Sequence, residues 1–197
     1  MVIKEELLTG AAVEAALETL ASLRITIFRE YPYLYDGQRE EELSYLRLYT
    51  AADACIITAS DSGAVVGAAS GIPLCREQQE MLEPFNGTAY PLDELYYVGE
   101  VLFLPAYRNC GLGVRLLERV EEYVRTCGKY RYVTCATIVR PDNHPLRPEN
   151  YVPIERFLDR TGFIKLHGVA TRFTWKENDG TKREHPMQFW VKELRCR

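Results

Sequence analysis

Residues 96–125 read YYVGEVLFLPAYRNCGLGVRLLERVEEYVR. The run from Tyr96 to Leu104 is nearly all apolar and short enough for a buried strand. Pro105 ends it, and Arg108, Gly111 and Gly113 follow within a few residues. An amphipathic helix is then expected from about Gly111 to Thr126, with Leu112, Leu116, Leu117, Val120 and Val124 on one face and Gly128 placed to stop it. Glu118, Glu121, Glu122 and Arg125 fall on the face expected to meet water. Glycines between a strand and a helix let the backbone approach a ligand closely, and the N-terminus of a helix favours an anion there. The plainer reading of Gly111 and Gly113 is a tight strand-helix turn.

Upstream of this unit, ACIITAS (54–60) and AVVGAASGIP (64–73) are β-branched runs separated by Asp61-Ser62-Gly63, which predicts a hairpin. Apolar residues recur at helical spacing from Glu5 to Arg29, giving one helix or two with a break near Gly10. Further helical stretches are expected at Glu40 to Thr50 and Glu77 to Phe85. Downstream, YRYVTCATIV (130–139) reads as a strand, RPDNHPLRPENYVP (140–153) as a rigid proline-rich loop, and Ile154 to Arg160 as a short helix ending at Gly162. Two strands, near Phe163 to Trp175 and Met187 to Leu194, close the chain around the polar turn KENDGTKREH (176–185). This order predicts a single domain over residues 1–197, an α/β fold with one mixed sheet and helices on both faces.

With 197 residues the chain can bury one substantial core. A net charge of −4 argues against a broad nucleic-acid surface. No apolar run approaches the roughly 20 residues of a membrane span. Glu14 and Glu18 break the apolar stretch near the N-terminus, so no signal peptide is read and a cytoplasmic protein is expected. Six scattered cysteines (Cys55, Cys75, Cys110, Cys127, Cys135, Cys196) form no Cys-x-x-Cys pair and read as reduced thiols. Cys110, Cys127 and Cys135 with a histidine match no metal-ligand spacing, and no metal is expected.

Three glycine loops that bind phosphates can be told apart. A P-loop would end in Gly-Lys-Ser/Thr, where this one ends Gly113-Val114-Arg115. A dinucleotide-binding turn would place a third glycine where Leu116 stands, which disfavours a nicotinamide-linked oxidoreductase. The segment Arg108-Asn109-Cys110-Gly111-Leu112-Gly113 instead fits Arg/Gln-x-x-Gly-x-Gly/Ala at the end of an apolar strand. It resembles motif A of the Gcn5-related N-acetyltransferase (GNAT) superfamily, with motif-level likeness from about Val98 to Val124. The resemblance implies the GNAT fold, a mostly antiparallel sheet, and acetyl-CoA as cosubstrate. It further implies that backbone amides of Asn109, Cys110, Gly111, Leu112, Gly113 and Val114 hold the pyrophosphate, with Arg108 opening the motif. Val101, Leu102 and Phe103 would line the pantetheine arm, and an N–H near Leu102 or Phe103 would face the thioester.

Acetyl transfer to an amine needs a neutral nucleophile, a polarised carbonyl and a proton for the leaving thiolate. Glu100, a lone carboxylate inside the strand, is the expected base, or else the structural partner of an arginine. Some relatives carry their carboxylate nearer Tyr97, which has no acid here. Many also carry a tyrosine four residues before a Gly-Phe pair. Here Leu158 precedes Gly162-Phe163, and Tyr151 stands in as candidate acid or as packing. Cys135 is a candidate acyl carrier or a buried inert thiol. The acceptor is expected to be a small-molecule primary amine bound by loops holding Tyr31, Tyr33, Tyr97, Arg140, His144 and Arg147. The arginines suggest an acceptor bearing carboxylate or phosphate, unless Arg140 and Arg147 pair internally with Asp142 and Glu149. Direct transfer is the leading reading, an acyl-CoA-binding module with little catalysis is the alternative, and a homodimer is compatible with either.

Overall fold

The computed structural model describes residues 2–194, so Cys196 lies outside the described residues. Seven strands, β1 (Ile3–Leu8), β2 (Cys55–Asp61), β3 (Ala64–Pro73), β4 (Leu95–Phe103), β5 (Tyr132–Ile138), β6 (Ile164–Lys176) and β7 (Lys182–Glu193), form one sheet. Their order is β1-β2-β3-β4-β5-β7-β6. Every pairing is antiparallel except β4 with β5. The hairpin expected at Asp61-Ser62-Gly63 joins β2 to β3. Ser62 (φ 52°) and Gly63 (φ 87°) both sit in the left-handed region that a two-residue turn between twisted strands requires.

Helices cover both faces. On one lie α1 (Ala11–Phe28), α2 (Arg39–Leu46) and the 3-10 turn Arg47–Thr50, which bury Val13, Leu17, Leu20, Leu46 and Tyr49 against Ile56, Ile72 and Leu95. A short helix, α3 (Gln79–Leu82), adds Met81 to the same core. On the other face α4 (Leu112–Cys127) and α5 (Glu155–Thr161) pack Leu116, Leu117, Val120 and Leu158 against Ile57, Tyr96 and Val133. Each such fully buried leucine contributes roughly 1.5–3 kcal/mol relative to exposure. Gly128 (φ 70°) and Gly162 (φ 88°) end α4 and α5 in the left-handed conformation, as their positions predicted.

Three local expectations change. The N-terminal stretch read as helix forms edge strand β1 up to Leu8, and α1 starts only after Gly10 (φ 50°). Pairing with β2 overrides the local pattern there, and Lys4, Glu5 and Glu6 give the exposed edge the charge that edges tolerate. Strand β7 begins at Lys182 rather than near Met187, because the polar stretch pairs across the hairpin, with Arg172 donating to Glu184 at 2.7 Å. Glu121, expected to face water, is buried on α4, where Arg125 donates to it at 3.1 Å and Lys192 of β7 reaches it from the sheet.

Strand β4 carries the feature that shapes the site. Ser70 pairs with Glu100 but the next residue, Gly71, pairs with Val98, so Gly99 is the extra residue of a bulge. A Cβ on Gly99 would lie 2.2 Å from the Tyr49 hydroxyl and 2.9 Å from Ser70 Oγ. Gly99→Ala is therefore expected to destabilise the protein by about 1–3 kcal/mol in denaturant unfolding. Adding Tyr49→Phe, which removes the nearest atom, should recover part of that loss, a non-additivity a double-mutant cycle would read directly.

Candidate active site

Between β4 and α4 the chain takes the left-handed conformation at Asn109 (φ 60°) and again at Gly111 (φ 85°). No side chain caps α4. The N–H groups of Asn109 through Val114 find no protein acceptor among the described residues, and the first bond of the new helix is Arg115 to the Gly111 carbonyl at 3.2 Å. Six consecutive unpaired donors at a helix N-terminus form an anion cradle whose charge adds to the helix dipole. The two glycines serve differently. Gly111 supplies the backbone conformation, whereas Gly113 has ordinary φ and its Cβ would make normal contact with Phe157 (3.5 Å) and Val101 (3.7 Å). Arg108 stands outside the cradle. Its Nε donates to the Phe103 carbonyl at 2.8 Å and its guanidinium pairs with Glu30 of the α1–α2 loop at 2.7 Å.

Strands β4 and β5 pair only at Leu95, Tyr96 and Tyr97. Beyond Tyr97 they part, and Val98 to Phe103 have a neighbour only in β3. The result is a wedge that opens toward the cradle, with one β4 edge left for an extended ligand. On the α1 side of the wedge, the bulge turns Gly99 and Glu100 to the same face. Glu100 does not stand alone there: Arg24 of α1 bridges it and Glu42 of α2, and the Arg24 guanidinium lies over the rings of Phe28 (4.9 Å) and Tyr45 (4.5 Å). Of the two readings of a carboxylate inside a strand, the structure shows the paired one. Burial alone would lower the Arg24 pKa, but the surrounding Tyr45 and Glu42 more than offset it, and the cation is held.

The sequence model of the acetyltransferase (GNAT) family matches residues 18–148. The chain belongs to the GNAT family. It is thus an acyltransferase, and its acyl donor is acetyl-CoA. No curated protein matches the chain at the level of sequence. Solved structures share its fold at low identity. A GNAT acetyltransferase from Streptococcus pneumoniae superposes with a TM-score of 0.62 at 14% identity over 98% of this chain and 100% of that one. NAA60 of Arabidopsis thaliana, solved with a bisubstrate analogue, gives 0.62 at 15% over 98% of both chains. An aminoglycoside 6'-N-acetyltransferase complexed with coenzyme A gives 0.61 at 15% over 100% and 99%.

In this GNAT protein the loops expected to face the acceptor do converge. The rings of Tyr31 and Tyr151 meet edge-on at 4.7 Å, and the His144 ring lies tilted against Tyr31 at 5.5 Å. Tyr31, Arg140, Asp142, Arg147, Tyr151, Glu155 and Arg156 line a cleft of about 310 Å³. A second cleft of about 530 Å³ runs from Asn109 of the cradle past Val152 to Arg156 and Arg160, so Arg156 borders both. The arginines expected as anion-binding forks are occupied. Arg140 donates to the carbonyls of Pro32 (2.7 Å) and Tyr33 (3.0 Å) and to Glu177 (2.6 Å), and Arg147 pairs with Asp142 at 2.7 Å. The internal partner of Arg140 is therefore Glu177 of the β6–β7 turn, not the nearby Asp142 or Glu149. Arg140 thus pins the aromatic loop, which Trp175 Nε1 also holds by the Tyr33 carbonyl at 3.0 Å.

Tyr33 lies where four elements converge. Burial first, then the charges of Cys135 and Tyr151, push its phenol up to about 12, while Arg24 opposes. Tyr151 reaches about 12 through burial and then Glu155. Tyr97 is buried, and desolvation followed by Tyr45 and Glu77 raises it well above the ordinary range. All three phenols stay protonated at neutral pH. Burial likewise raises the Cys135 thiol, which suits an inert cysteine, and the five described cysteines are free. Leu158, in the position where relatives carry tyrosine, is buried in the core beneath α4.

Two acidic residues escaped sequence reasoning. Glu77, just after β3, buries Oε1 without a hydrogen-bond partner, and desolvation pushes its pKa up to about 7. Its charge bears on Tyr45, Tyr49 and Tyr97. Glu155, at the start of α5, lines the smaller cleft. Nothing local marks either one, since Glu77 reads as the start of a polar helix and Glu155 as a solvated helix residue.

The two glycines of the cradle should respond differently to substitution. Gly111→Ala forces an L side chain into φ 85° and is expected to cost about 1–2 kcal/mol of stability and to weaken coenzyme A binding in calorimetry. Gly113→Ala should leave stability within about 0.5 kcal/mol of the parent.

Proposed function

We propose that this protein transfers the acetyl group of acetyl-CoA directly to the primary amine of a small-molecule acceptor. The observation that carries the proposal is the juxtaposition of the anion cradle, Asn109 to Val114, with the wedge between β4 and β5. The donor supplies an activated thioester. The chain supplies amides for the pyrophosphate, the β4 edge through Val101, Leu102 and Phe103 for the pantetheine arm, and an N–H on that edge to polarise the carbonyl. Gly99 keeps the bulge open behind it. Glu100, paired with Arg24, serves to fix that arginine beside the bulge. Glu77, whose pKa of about 7 suits a general base at neutral pH, takes the amine proton. Tyr33, whose phenol stays protonated at neutral pH, reprotonates the thiolate, and Tyr151 lines the acceptor side.

Thiol release from acetyl-CoA across a panel of amines tests this reading. Release with no amine in the panel, despite tight binding of acetyl-CoA, would leave the protein an acyl-CoA-binding module. The pH profile tests the base. Glu77 works deprotonated, so kcat/KM is expected to rise with pH through about 7 and to level above it. Glu77→Gln should remove that limb and lower kcat/KM by about 10²-fold or more. An unchanged limb in the variant would exclude Glu77.

A further inference from the structure

Every arginine among the described residues pairs with a carboxylate except Arg47, Arg156 and Arg160. Arg47 stands on the α1 face, in the 3-10 turn after α2. The other two share one turn of α5, and both line the larger cleft, the one that begins at Asn109 of the cradle. Residues four apart on a helix lie on the same face, where like charges repel. Arg160 nevertheless folds back toward Arg156, its Nε donating to the Arg156 carbonyl at 3.2 Å. Asp159 lines the same cleft but bonds to neither guanidinium. Glu155, also without a side-chain partner among the described residues, lines the smaller cleft instead. The residues lining the larger cleft therefore carry one net positive charge, which nothing in the protein offsets.

Helix α5 packs beside the start of α4, which brings these arginines to the cradle. Phe157, between them in sequence, lies 3.5 Å from where a Cβ on Gly113 would stand. A pyrophosphate held by the amides of Asn109 to Val114 would have the arginine pair on its α5 side. At about 530 Å³ the cleft falls in the size range of cofactor sites, and Val152, 57% exposed, gives it an apolar wall. The pantetheine arm of the donor leads from the pyrophosphate into the wedge, so its nucleotide end remains outside. That end carries a phosphate monoester on the ribose 3'-oxygen, with a charge near −2 at neutral pH and three acceptor oxygens. Guanidinium forks match such a group in charge and in geometry.

We infer that Arg156 and Arg160 form a subsite for the 3'-phosphate of coenzyme A and make the protein selective for the phosphorylated ribose. A dianion between the two guanidiniums relieves their mutual repulsion and supplies the partner that each lacks. The inference rests on acetyl-CoA as donor and on the cradle as its pyrophosphate site. It is independent of which amine is acetylated.

Calorimetry on the full chain with coenzyme A and with dephospho-coenzyme A isolates the 3'-phosphate, because the two ligands differ in nothing else. The parent is expected to bind coenzyme A about tenfold tighter. Arg156→Gln and Arg160→Gln, at exposed positions where glutamine keeps the helix propensity, should each remove part of that preference. The double variant should bind both ligands alike, near the parent's affinity for dephospho-coenzyme A. In the parent the preference should shrink as NaCl is raised from about 0.05 to about 0.5 M. Arg47→Gln removes an unpaired arginine elsewhere and should leave both affinities unmoved. Equal affinity of the parent for the two ligands overturns the inference. A double variant that keeps the preference overturns it too, and one that does so while losing both ligands equally would assign the arginines to the pyrophosphate. If neither ligand binds the parent, the cradle reading fails with it. The expected preference without acetylation of any amine would support the subsite and overturn only the proposed transfer.

Discussion

Strands β4 and β5 share three residue pairs, and where that pairing stops decides what the rest of the molecule is for. A sheet that continued would satisfy its own backbone and leave no slot. Here β5 turns away with β7 while β4 stays with β3, and the bulge at Gly99 bends β4 at the point of separation. The exposed edge of β4 is a row of backbone groups in search of partners, and such a row is answered by water or by an extended ligand. The Tyr49 hydroxyl lies where any side chain at 99 would go, so the core of the α1 face is built around the absence of that side chain.

Electrostatics then grade the slot from end to end. Its outer end is positive, because Asn109 to Val114 present unpaired N–H groups at the start of α4. Deeper in, Arg24 is flanked by the carboxylates of Glu42 and Glu100. A polyanionic donor meets the sign that suits it at the cradle. The aromatic loop from Tyr31 to Asp36 is not loose. The β6–β7 turn holds it through Asp36 and Asn178 backbone bonds of 2.8 Å each, through Trp175, and through the Arg140–Glu177 pair. Buried pairs of this kind add little net stability over apolar packing, but removing one partner leaves a charge stranded, so they fix geometry firmly.

Legibility in the sequence followed the range of the interaction. The cradle could be read because strand, glycines and helix are contiguous, and the hairpin because Ser62 and Gly63 alone suffice for the turn. Glu100 could be singled out but not assigned, since its partner Arg24 lies 76 residues away. Glu121 looked solvated because Lys192 comes from the far end of the chain. Glu77 and Glu155 left no mark, since a carboxylate's pKa or its lack of a partner depends on neighbours from several elements.

The sequence by itself determined the element order, the two-faced sheet and the phosphate-type loop, because propensity, periodicity and turn chemistry act over a few residues. Tertiary structure alone decided that residues 3–8 pair as a strand, that Gly99 sits in a bulge, and which charges near the wedge are spent. Those outcomes depend on long-range pairing and desolvation, which no local pattern encodes.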